Sequence, residues 1–160
     1  MRANTHPLDR IDHQILAHLQ KDARVSNKDL AARIGLAPST CLGRVQRLVQ
    51  DGVIRGFHAD VDPAAVGVLI QALVFVQLEV HGAQATEKFR DHMLARPEVV
   101  GLYHVGGVQD LLVHVAVRDT DHLRELVMED IATRPEVRHI ETNLVFEHHR
   151  SPIPNLTGNE

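Results

Sequence analysis

Residues 26–54 read SNKDLAARIGLAPSTCLGRVQRLVQDGVI, and this stretch decides the fold of the first part of the chain. Ser26 is a good helix N-cap, Asp29 adds a carboxylate in the first turn, and Leu30, Ala31 and Ile34 recur at helical spacing, so a short helix opens here. Gly35 stops it. Pro38 suits the first turn of a second helix, in which Cys41, Val45 and Leu48 share one buried stripe. Two short helices joined by so tight a turn form a helix-turn-helix. The other face of the second helix carries Ser39, Thr40, Gly43, Arg44, Gln46, Arg47 and Gln50, with no acid before Asp51. Hydroxyls, amides and guanidinium groups are the donors and acceptors that meet phosphate oxygens and base edges. Ser39, Thr40, Arg44, Gln46 and Arg47 are therefore the candidate DNA-contacting residues. A solvated helical hairpin is the plainer alternative.

Working outward, Leu8, Ile11, Ile15, Leu16 and Leu19 predict a preceding helix over about Leu8 to Lys21 that completes a three-helix core. Beyond Gly52, the stretch Val53 to Val61 reads as a strand or small wing. The charge is uneven: residues 1–62 carry a net +2 and residues 63–160 a net −6. A basic head on an acidic body suits a localised DNA-facing surface better than a general nucleic-acid coat.

The second half repeats itself. Arg96-Pro97-Glu98-Val99 recurs as Arg134-Pro135-Glu136-Val137, 38 residues later. Each copy follows a β-like run (Ala72 to Val80, Leu111 to Val117) and a helix-like stretch (Ala85 to Ala95, Asp121 to Ala132). Each leads into a further strand (Val99 to Val105, Val137 to Phe146). Two βαβ units in tandem predict a ferredoxin-like βαββαβ body with an antiparallel sheet backed by two helices. The fold class is thus α+β. Residues 1–59 form the winged helix-turn-helix, 60–68 a linker, 69–150 the body and 151–160 a tail. Val74, Val76, Leu78 and Val80 give the first strand one apolar face and Leu73 and Phe75 the other, while Ile140, Leu144 and Phe146 line the last strand. Two helices cover one face of such a sheet, so a second copy is the simplest cover for the other, and a homodimer is expected.

These residues resemble the leucine-responsive and asparagine-responsive (Lrp/AsnC, or feast/famine) regulators over nearly the whole chain. The resemblance rests on Leu8-Asp9 with Asp12 and Ile15-Leu16, Asp29-Leu30-Ala31, Ile34-Gly35-Leu36, Arg44-Val45 with Arg47-Leu48, Gly52-Val53-Ile54, Gly56-Phe57, and Asp62-Pro63 leading to Gly67. It implies that the βαββαβ body binds an effector, usually an amino acid, and assembles dimers into tetramers or octamers. The loop Gly106-Gly107-Val108-Gln109-Asp110 resembles the family's glycine-and-aspartate turn, with Gly106 where the usual pattern has Thr. Glycine amides can hold a carboxylate and Asp110 an ammonium group, the two ends of an α-amino acid; a plain hairpin turn needs the same residues. Tyr103, Val105, Gln109 and Thr142 are further candidates for the pocket. Gly43 stands where relatives often carry a larger polar or basic residue.

Other chemistries find little support. Cys41, the only cysteine, excludes an internal disulfide and sits on an apolar stripe. Twelve histidines, among them His104, His114, His139, His148 and His149, include no tight ligand cluster, so no metal is expected. With no phosphate-cradling loop or nucleophile elbow, an enzyme and a resident cofactor are not expected. No h-region or bilayer-spanning run is present, which places the protein in the cytoplasm without a membrane partner. The expected function is a sequence-specific, amino-acid-responsive transcriptional regulator acting through its oligomeric state. The alternative is a ligand-independent architectural DNA-binding protein.

Overall fold

The computed structural model describes residues 7–79, 82–149 and 151–153. The chain forms two compact units, residues 1–60 with 150–160, and residues 61–149.

In the first unit, α1 (Arg10–Lys21), α2 (Asn27–Ile34) and α3 (Pro38–Gln50) pack around Ile15, Leu30, Ala31, Cys41 and Leu48, all essentially without solvent contact. The first helix begins two residues later than the apolar pattern suggested. Asp9 is its N-cap, accepting from the Asp12 amide while the Asp12 carboxylate accepts from the Asp9 amide, a reciprocal capping box. Ser26 caps α2 through its hydroxyl, which accepts from Asp29 N and donates to the Asp29 carboxylate. Gly35 ends that helix at φ 72°, the left-handed conformation that glycine adopts without steric cost. The expected strand at 53–61 is not formed. Val53 and Ile54 turn back onto the three-helix core, and no second strand pairs with residues 55–61, so their backbone groups have no ladder to join. Residues 151–153, the described part of the expected tail, have no regular structure and lie against α1: Ile153 N donates to Gln20 Oε1 at 2.8 Å, and Gln20 Nε2 donates back to Ile153 O.

The second unit is the βαββαβ body. Strands β1 (Ile70–Leu78), β2 (Val99–His104), β3 (Leu111–Val117) and β4 (Val137–Val145) lie in the order β2-β3-β1-β4, every pair antiparallel. The expected linker is shorter than 60–68. Ala64–Val66 already forms a 3₁₀ turn that belongs to this unit, opened by Asp62 accepting from Ala64 N and closed by Gly67 at φ 82°. Helices α4 (Ala83–Leu94) and α5 (Thr120–Glu125) cover one face of the sheet. There Ala72, Val74, Val76 and Leu78 meet Leu111, Val113, Val115 and Val117, closed over by Phe89, Met93, Leu123 and Ile131. Alternation along β1 turns Leu73 and Phe75 to the other face, in register with His114 and Leu112 of β3. No helix covers that face among the described residues. Val80, expected on the same face as Val74, Val76 and Leu78, lies outside the described residues. Ile140 and Leu144 pair with Val76 and Ala72 and so face the helices, but Phe146 falls beyond β4 and is 93% exposed.

The second expected helix is not uniform. After α5 the chain widens into a π-helical segment, Leu126–Ile131, with Ala132 N donating to Val127 O. The wider turn buries Leu126, Val127 and Ile131 together. The repeated Arg-Pro-Glu-Val motifs tie the halves of the body. Arg96 pairs with Asp130 on the second half, Glu98 meets His122 of α5 at 3.1 Å, and Arg134 pairs with Glu136 and lies 6.0 Å from the Phe89 ring centroid.

Candidate functional site

The DNA-reading candidate is α3. Its position relative to α2 is fixed locally: Asn27 Nδ2, at the start of α2, donates to Pro38 O at the start of α3, at 2.8 Å. Pro38 then supplies a first helical residue that has no N–H to satisfy. The structure leaves Ser39, Thr40, Gly43 and Gln46 exposed along this helix.

Arg44 and Arg47 depart from the expectation that they share this outward face. Both are half-buried and turned sideways toward the first turn of α1. Arg44 Nη1 donates to Asp9 Oδ2 at 2.6 Å and to Asp12 Oδ1 at 2.9 Å, and Arg47 Nη2 donates to Asp12 Oδ2 at 2.5 Å. The Asp12 side chain is 1% exposed, so its charge depends on these partners. The hydrogen bond from Asp12 N, reinforced by Arg44, holds the Asp9 carboxyl below the usual aspartate range, and the Asp9 and Asp12 carboxylates raise the Arg44 guanidinium in turn. On a wheel of about 100° per residue, Arg44 lies only about 60° from Cys41 at the centre of the buried stripe. That angle, together with two acids three residues apart at the start of α1, was the available signal.

The second candidate is the loop between β2 and β3. Val105 N donates to Asp110 O, and Asp110 N to Val76 O, both at 3.0 Å. Asp110 Oδ2 accepts from Leu78 N at 2.8 Å, and Gln77 Nε2 donates to Val108 O at 2.8 Å. The loop is therefore closed across its base by Val105 and Asp110 and pinned to β1 on its Val108–Asp110 side, and Asp110 has a structural duty besides any ligand contact. Between the shoulders Gly106, Gly107 and Val108 are exposed, with Gly107 at φ 136°. Gln109 is half-buried and its Oε1 meets no hydrogen-bond partner among the described residues. Tyr103, 57% exposed, stands on the open sheet face in register with Leu112. Thr142 does not join this group within one chain. It pairs with Val74, on the helix-covered side, in the strand at the far edge of the sheet.

The histidines stay dispersed. His114 shares a 2.9 Å contact with Gln71 and meets the His148 ring edge-on at 5.8 Å, while His149 contacts Glu147. Among the described residues no three His, Cys, Asp or Glu side chains converge as a metal site, and no helix is long and apolar enough to cross a membrane. Burial raises the Cys41 thiol pKa, opposite to what a reactive thiolate needs.

A helix-turn-helix reader joined to a ferredoxin-like body defines a DNA-binding regulator rather than a catalyst. Comparison with known proteins specifies which. Residues 8–55 match a winged helix-turn-helix DNA-binding family and residues 71–152 the Lrp/AsnC ligand binding domain. The chain is 46% identical to the HTH-type transcriptional regulator AldR of Mycolicibacterium smegmatis, covering 92% of this chain and 86% of that protein. It is 35% identical to the leucine-responsive regulatory protein of Escherichia coli K12, over 88% and 85% of the two chains. A transcriptional regulator from Neisseria meningitidis, solved as a complex with L-Met, superposes with a TM-score of 0.84 at 27% identity, covering 92% of this chain and 97% of that one. The chain belongs to the Lrp/AsnC family of DNA-binding transcriptional regulators, which are not enzymes.

Proposed function

We propose that this regulator binds an α-amino acid at the 105–110 loop and that binding changes its oligomeric assembly and thereby its hold on DNA. The observation that carries the reading is the pinned loop itself. Exposed Gly106 and Gly107 share the loop with Asp110, whose carboxylate is held by Leu78 N, and glycine amides and a carboxylate are the donors and acceptor that suit the two charged ends of such a ligand. The relative solved with L-Met supports this ligand class. Tyr103, Val105 and Gln109 flank the loop and would line the pocket. Thr142, on the opposite face and outer strand, reaches the same ligand only from a second copy, which ties occupancy to assembly.

The uncovered face with Leu73, Phe75 and Leu112 is the surface for a homodimer, further assembling to tetramers or octamers. Ser39, Thr40 and Gln46 are the outward groups offered to DNA. A ligand that favours one assembly over another changes how many reading heads engage neighbouring sites. The test is light scattering of the full-length chain with each of the twenty amino acids, in parallel with binding to the DNA upstream of its own gene. A change in size and affinity with particular amino acids supports the proposal. Tight DNA binding with neither change overturns it and favours an architectural role.

A further inference from the structure

Successive outward positions of α3 are Ser39, Gly43, Gln46 and Gln50, spaced to form one ridge, and all four are exposed. The ridge has a notch at Gly43. Nothing among the described residues asks for glycine there: it is helical, it is not among the positive-φ glycines, and a Cβ added to it would meet nothing within 4 Å. A glycine inside a helix is a standing penalty against alanine, from lost chain entropy alone. The notch leaves the α3 backbone bare to whatever approaches the helix from outside.

The flank of the same helix is occupied differently. Arg44 and Arg47 face Asp9 and Asp12, two cations against two carboxylates. Withdrawing either arginine toward a phosphate leaves the buried Asp12 short of a partner, a strongly unfavourable exchange. Leu42, on the other flank and 46% exposed, is an apolar group free to meet a thymine methyl.

We infer that Gly43 is the point where the α3 backbone comes closest to the DNA bases, with Ser39 and Gln46 reading base edges on either side of it. Gln46 is suited to adenine, whose N6 and N7 it can engage together. Arg44 and Arg47 are positioning residues that set the angle of α3 on α1 and do not neutralise phosphates. This inference rests on α3 being the reading helix.

The test uses the full-length protein and a duplex it selects from a random double-stranded DNA library, with an unrelated duplex as control. Gly43→Ala should raise or preserve the melting temperature, as expected for a helix interior, yet lower affinity for the selected duplex by about tenfold, the worth of one base contact. Affinity for the unrelated duplex should change far less. Gln46→Ala should relax preference at one base position. Arg47→Gln should lower the melting temperature while leaving the slope of log affinity against log salt within about 0.3 of wild type, because a lost phosphate contact would reduce that slope by about 0.9. Arg47→Lys, which keeps a cation for Asp12, should recover part of the melting temperature. Undiminished affinity in Gly43→Ala, or a slope loss near that of one phosphate in both Arg47 variants, overturns the inference. If Gln46→Ala, Ser39→Ala and Gly43→Ala all bind as wild type, the assignment of α3 as the reader fails instead.

Discussion

Asp12→Ala puts the strongest demand on the packing of the first unit. Removing one partner of a buried ion pair costs about 3–5 kcal/mol. Here the released groups are the arginines, which keep 27% and 37% side-chain exposure, and Arg44 retains Asp9. Their stems can extend to water, so the electrostatic part falls to about 2 kcal/mol. The substitution also removes the acceptor for Asp9 N, half of the capping box, adding about 1 kcal/mol. A total of about 3 kcal/mol lowers the melting temperature of a unit this size by roughly 12–24 °C. Asp12→Asn keeps the side-chain shape and an oxygen for the cap, and should lose about half as much. Thermal unfolding of the full-length chain gives the shift, and hydrogen exchange of the α1 and α3 amides assigns it to this unit. An Asp12→Ala protein that melts within about 3 °C of wild type, with unchanged exchange in α1 and α3, would refute the reasoning.

Three further outcomes are expected. Asp9 has a folded pKa below its ordinary 3.8, so its contribution is present above that value and is lost as pH falls through the depressed one; Asp9→Asn should flatten the acid limb of the first unit's melting temperature against pH, below 3.8. Burial, with the Arg134 and Arg96 charges, pushes His92 below its ordinary 6.5, so protonation favours the unfolded chain and the body should lose stability as pH drops below 6.5. His92→Gln should remove that dependence, which melting at pH 7.5 and 5.5, each roughly one unit from that value, would show. Asp110→Ala removes the acceptor for Leu78 N and should cost the body about 1–2 kcal/mol in urea titration, while abolishing any amino-acid-dependent change in size and leaving DNA affinity intact.

What could be read from the sequence was what local chemistry decides. Ser26, Gly35 and Pro38 act on their own helices within a few residues, and the α2–α3 turn follows from them. The alternation in β1 and the Arg-Pro-Glu-Val repeat likewise carried the βαββαβ order, since each strand advertises its faces. The parts that differed depend on distant partners. Arg44 and Arg47 are aimed by carboxylates 32–35 residues away, and a helix face rich in donors gives no sign of where their guanidinium groups rest. Residues 53–61 have β-like composition but no strand to pair with, and Val53 and Ile54 gain more from the helical core. The π-helical widening at Leu126–Ile131 answers to three buried side chains, not to local propensity. The candidate ligand residues clustered around the loop because sequence neighbours stay neighbours in a hairpin; Thr142 comes from a strand whose face and edge only the sheet order defines.

The two rims of the sheet differ in how they resist adding strands. β2 is only six residues long and its pairing shifts between Val99 and Gly101, so its outer side offers few regularly spaced backbone groups. β4 is longer, nine residues, but carries Arg138 and Glu141, charges that an incoming strand would have to bury or oppose. Growth by edge-on stacking, the route toward ribbons and aggregates, is thereby discouraged at both rims. Among the described residues the broad face around Leu73, Phe75 and Leu112 is the sheet surface left uncovered by helices, and a two-fold pairing across it would close on itself and not propagate.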